Sequence, residues 1–124
     1  MKKVAIVVTM PHETPENRGR MTKALHLAAG LKDKGAQVKL VFGGRGVEWV
    51  PQLAGDRAEG HPFLRAYGGL FDKVRDDVVA CNFCCRRFEV RDAVAELGLP
   101  IEGEGKDHMA LEDYVLDDWT VIPF

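Results

Sequence analysis

No stretch of this sequence comes near the roughly 20 consecutive apolar residues that carry a helix across a bilayer, so no membrane-spanning helix is expected in it. Excess charge of either sign is missing too: 17 Lys and Arg stand against 19 Asp and Glu, a net charge of −2. Without a global positive field, neither nucleic acid nor an anionic membrane surface is expected as a partner. Cysteine is absent everywhere except positions 81–85, where three occur. An odd number confined to one spot cannot build the disulfide framework of a small secreted domain. The apolar run Val4–Val8 behind Met1-Lys2-Lys3 is too short for a signal sequence and no small-residue cleavage site follows it, so a cytoplasmic, reducing setting is expected. Internal repeats, low-complexity tracts and linker-like segments are also lacking, and one domain over residues 1–124 is expected.

What is present is an ordinary globular composition, 46% hydrophobic and 29% charged, in which hydrophobic periodicity alternates between strand and helix. Lys3–Thr9 is β-branched without polar alternation, the pattern of a strand buried on both faces. Thr14-Pro15 offers an N-cap and a first-turn proline. Met21, Ala24, Leu25, Ala28 and Leu31 then recur at helical spacing until Gly35. Ala36–Phe42 is predicted as a second strand, left through Gly43-Gly44-Arg45-Gly46 into a short apolar segment, Val47–Leu53. Residues 56–61 are polar and predicted as a loop. Phe63, Leu64, Tyr67, Leu70, Phe71 and Val74 mark one helical face. Asp77–Cys81 follows as a third strand, and a single amphipathic helix from about Arg86 to Leu97 is capped by Gly98. Leu99–Ile101 is predicted as a short strand, His108–Asp117 as a weaker helix, and Trp119–Ile122 as a last strand stopped by Pro123.

Strands alternating with helices imply right-handed crossovers. The fold class expected is α/β, a three-layer α/β/α arrangement around a mostly parallel sheet of four to five strands. Ligands of such sheets bind beyond the carboxyl ends of the strands. Three loops should converge there: Met10–Asn17, Gly43–Val47 and Cys81–Arg86.

Cys81, Cys84 and Cys85 lie in the third of these, where a buried strand gives way to a helix. A helix N-terminus and the adjacent Arg86 and Arg87 would each lower a thiol pKa and favour the thiolate, which is the nucleophile and the metal ligand. Cysteine is also among the most buried residues, so Cys81 at the end of an apolar strand fits simple packing as well. A C-x-x-C at a helix start serves thiol–disulfide exchange, persulfide transfer and metal binding alike. For metal the cluster is short of ligands. Of His12, His26, His61 and His108 only His12 falls on the expected edge, and there is no second C-x-x-C. No metal site and no cofactor are therefore assigned.

In this order, the opening strand, the long first helix, Val41-Phe42 followed by Gly46-Val47, Cys81-x-x-Cys84 before a helix containing Val90, and the closing Val-Ile-Pro resemble the DsrE/DsrF-like proteins, small α/β domains associated with sulfur relay. The resemblance spans nearly the whole chain. It implies a persulfide carrier or sulfurtransferase-like protein in which Cys81 matches the cysteine that accepts sulfane sulfur. Cys84 matches a second cysteine of some members, and Cys85 has no counterpart. It also implies a homo-oligomer, a trimer or hexamer, and a sulfur donor or acceptor protein as partner. Arg87-Phe88-Glu89 departs from the pattern, standing where an Arg-Gly turn often occurs.

Other residues carry weaker indications. His12 and Glu13 could accept a proton or orient a thiol near the strand edge, although a solvated turn is the plainer reading. Gly43-Gly44-Arg45-Gly46 could cradle an anion through backbone N–H groups, with Arg45 adding charge, and Arg86 is a further candidate binding residue on the same edge. The glycines match neither a phosphate-binding loop nor a dinucleotide fingerprint, and tight turning is the plainer role. Two further readings stay open: a non-catalytic oligomeric module binding a small anion, metal or partner at the strand edge, and a dithiol redox protein.

Overall fold

The computed structural model describes residues 1–55, 61–103 and 108–124. The unbroken apolar run near the N-terminus forms β1 (Lys3–Val8), buried over Val4–Val8 as a strand with neighbours on both sides must be. α1 (Pro15–Asp33) begins as expected, with Pro15 in its first turn and the Thr14 hydroxyl accepting the Asn17 N–H at 3.2 Å. It ends on Gly35, whose φ of +89° is open to glycine at no steric cost. β2 (Gln37–Phe42) follows, then a tight 3-10 turn over Gly44–Glu48, α2 (Trp49–Ala54) and α3 (Pro62–Val74). After β3 (Val78–Cys81) come α4 (Asn82–Arg87), α5 (Arg91–Glu96), β4 (Ile101–Glu102), α6 (Leu111–Leu116) and β5 (Thr120–Pro123). The loop expected at 56–61 lies outside the described residues apart from His61, which caps α3 through its Nδ1.

The five strands form one sheet in the order β4-β3-β2-β1-β5, every pair parallel. Successive crossovers from β1 to β4 all step in one direction, and the right-handed rule puts their helices on one face; α1 and α2 both pack on α3, and α2 also meets α5. The return from β4 to β5 runs the other way and brings α6 over the opposite face. A groove of about 630 Å³ remains there between Lys39, Glu102, Tyr114 and Trp119. The three-layer α/β/α expectation is met, with an all-parallel sheet. Ile6, Leu25, Phe42, Trp49 and Phe71 are among the fully buried side chains of the core.

Three expectations are corrected. The single helix from Arg86 to Leu97 is two short helices, because the backbone turns left-handed at Glu89, φ +59°. That costs a non-glycine residue on the order of 1 kcal/mol. The turn is closed by Val90 N–H on the Cys85 carbonyl at 2.9 Å. The helix also starts earlier than expected, so Cys84 and Cys85 lie within α4 rather than in a loop. Finally, Pro123 does not stop β5 but pairs opposite Val7. It is admitted there because Phe124 makes both bonds to β1, donating to Val7 O and accepting from Thr9 N, which turns the proline nitrogen toward the open edge.

Candidate functional site

The strands point their carboxyl ends one way, and the segments that leave them meet. Gly43 N–H bonds the last carbonyl of β1, Val8 O, at 3.0 Å. Gly46 presses onto the same carbonyl so closely that a Cβ there would lie 2.1 Å from Val8 O. This approach, which only glycine permits, folds the Gly44–Glu48 turn over the sheet end and aims the Gly44 N–H at Cys84. Cys84 Sγ accepts that N–H at 3.1 Å. Trp49 anchors the turn from below by donating Nε1–H to Met10 O at 3.0 Å.

Cys81 closes β3 and Cys84 is the third residue of α4, within its first turn. All three cysteines are reduced and buried, with 3%, 7% and 0% of their surface exposed for Cys81, Cys84 and Cys85. Burial pushes the Cys84 thiol up to about 11, and its contact with Cys81 adds to that, while the Gly44 N–H opposes it. Burial likewise pushes Cys85 up to about 12, with the Cys81 and Cys84 charges adding and Arg91 opposing. The thiolate-favouring reading of Arg86 and Arg87 is thus corrected for these two thiols. Both guanidinium groups are engaged elsewhere: Arg86 Nε donates to Asn82 Oδ1 at 3.3 Å, and the Arg87 group sits 5.3 Å from the Phe88 ring centroid.

One residue missing from the expected edge joins the thiols. His108 has a ring nitrogen, and Cys81 and Cys84 their sulfurs, all within 4.8 Å of one another. Its ring lies against that of Phe83, centroids 4.1 Å apart. The signal was present in the sequence, because the segment after any parallel strand of this sheet emerges at the same carboxyl edge, and His108 follows β4.

The remaining expected residues divide into groups. Arg45 pairs with Glu13 and with Glu48, the latter at 2.8 Å, so the guanidinium of the expected anion cradle already holds two carboxylates. His12, Glu13 and Glu48 also bring three donor atoms within 4.8 Å of one another. His12 meets Trp49 edge-on at 6.0 Å and lines a cavity of about 230 Å³ with Arg18, Gln52, His61 and Phe63. Arg86 borders a separate shallow cleft beside Glu89 and Arg91. No described helix is long and apolar enough to cross a membrane.

A family model for the DsrE/DsrF-like family matches residues 2–124. The uncharacterized protein MJ0733 of Methanocaldococcus jannaschii is 30% identical over 122 residues, covering 98% of this chain and 94% of that protein. Among solved structures, a conserved protein of unknown function, BT1422 from Bacteroides thetaiotaomicron, superposes with a TM-score of 0.55 at 15% identity, over 97% of this chain and 94% of that one. That likeness concerns the fold alone. Sequence and family model agree along the whole length: this chain belongs to the DsrE/DsrF-like family.

Proposed function

We propose that this protein accepts sulfane sulfur on Cys81 and hands it on, a persulfide carrier of the sulfur-relay kind. One observation carries the reading: Cys81 and Cys84 lie in contact at the carboxyl end of β3, with a backbone N–H donated to Cys84. The Cys81 thiolate attacks the outer sulfur of a donor persulfide R–S–SH. The donor S–S bond breaks, R–S⁻ leaves, and Cys81–S–SH forms with no net oxidation. An acceptor thiolate then takes the outer sulfur, and Cys81 leaves as the thiolate. Cys84 is the neighbouring thiol, its sulfur held in place by the Gly44 N–H. Cys85, with no exposed surface, is assigned to packing. The same reading includes a cytoplasmic setting, where reduced thiols persist.

Intact mass of the reduced protein before and after a persulfide donor tests it. The expected result is a gain of one sulfur mass that maps to the Cys81 peptide, persists in Cys85→Ala and is abolished in Cys81→Ser. No gain, or a gain indifferent to Cys81, sinks the proposal.

A homo-oligomer belongs to the same reading. It is supported by the apolar side chains that α6 leaves outside, Val115 at 60% and Leu116 at 80% exposure. Light scattering is expected to give a multiple of the 13.8 kDa chain mass that drops toward one chain in the double variant Val115→Glu, Leu116→Glu. A wild-type protein of single-chain mass removes the oligomer.

A further inference from the structure

We infer that Cys81, Cys84 and His108 form a binding site for a thiophilic metal ion of the zinc type, these three being its ligands among the described residues. Two sulfurs and an imidazole nitrogen are the donor set that zinc selects over the harder cations. With zinc–sulfur bonds near 2.3 Å and zinc–nitrogen bonds near 2.0 Å, the donors of a tetrahedral site stand about 3.5–3.8 Å apart. Here all three fall within 4.8 Å of one another, so a contraction of at most about an ångström closes the site.

The means of contraction is visible. His108 is exposed and follows a strand of two residues, so its ring can turn about its side-chain bonds without disturbing the sheet. The two cysteines are fixed, one ending β3 and the other inside α4. Two rigid thiols and one adjustable histidine make a partly formed site that an entering ion completes. On binding, both thiols release their protons and two thiolates balance a dication, which removes the cost of placing single negative charges in this buried spot.

The other cluster on this edge does not compete for the role. Its carboxylates Glu13 and Glu48 already share the Arg45 guanidinium, and their oxygens suit harder ions. A metal held by Cys81 and Cys84 also leaves neither sulfur free as a nucleophile, so metal occupancy and sulfur loading exclude each other. The site itself stands on geometry and does not depend on the relay.

Cobalt(II) titration of the reduced full-length chain, without any sulfur donor, tests this. One equivalent is expected to bring up the thiolate-to-cobalt charge-transfer and tetrahedral ligand-field bands, which one equivalent of zinc then removes. Cys81→Ser and Cys84→Ser should lose the charge-transfer intensity of the wild type. His108→Ala, altered at an exposed position and checked for its fold by circular dichroism, should bind zinc about tenfold or more weakly. Cys85→Ala should bind as wild type does. Absence of the bands in the wild type, or wild-type affinity in His108→Ala, overturns the site. The sulfur-loading measurement uses no metal, so either proposal can fail alone.

Discussion

Gly46→Ala is expected to lower the unfolding free energy by about 3 kcal/mol or more, at the upper end of what overpacking costs. The added methyl would sit 2.1 Å from Val8 O and 2.8 Å from the carbonyl carbon, both backbone atoms of β1. Neither can step aside as the tip of a flexible side chain would, because Val8 O also accepts the Gly43 N–H. Relief requires the whole Gly44–Glu48 turn to lift, and with it the Gly44 N–H that Cys84 accepts. For a chain of this length that is a fall in melting temperature of roughly 10 °C. Thermal unfolding followed by circular dichroism reads it directly. A variant melting with the wild type would mean that the turn does not press on the sheet as described.

The second large effect concerns thiol titration. With Cys84 at about 11 and Cys85 at about 12, against an ordinary 9.0, the native fold holds about 100-fold and about 1,000-fold less thiolate at these positions than the unfolded chain does. Alkylation of Cys85 in native protein at mildly alkaline pH should therefore be slower than in denaturant by about three decades, and slower still for its complete burial. Peptide mapping after timed alkylation measures it. Equal labelling of native and denatured Cys85 would contradict the burial.

The linkage has a definite sign. Because folding raises these pKa values, the native chain keeps protons that the unfolded chain releases. Their contribution is whole below about pH 9 and is lost as the pH climbs toward 11 and 12. Unfolding free energy should fall through that window, with Tyr114, pushed up to about 12 mainly by burial, adding to the fall from pH 10 upward. Cys85→Ala should make the decline shallower. A decline of unchanged steepness would assign it to other groups.

Much of this architecture was legible because local rules and tertiary packing agree. Thr14-Pro15 and Gly35 bracket α1 through cap chemistry that any sequence must obey. The unalternating Val4–Val8 announces a strand buried on both sides. What escaped is what no local rule encodes. Glu89 sits in a left-handed turn that propensity assigns to glycine, so one helix was expected where there are two. The direction of the thiol shifts was misjudged because charge counting along the chain ignores where side chains end up: Asn82 takes Arg86, Phe88 takes Arg87, and desolvation wins at Cys84 and Cys85. His108 escaped because the expected edge took in only the loops after the first three strands, although the segment after a fourth parallel strand, expected at Leu99–Ile101 and formed by Ile101–Glu102, emerges on the same side.

The borders of the sheet limit how copies of this chain can join. One border is β4, two residues long, and offers an intruding strand almost nothing to bond. The other is β5, where Pro123 presents a nitrogen with no hydrogen to the outside. Both are devices that keep a sheet from being lengthened by a stranger's backbone. Growth by strand addition, the route to fibrils, is thereby discouraged at both ends, and contact between copies is left to helices and side chains.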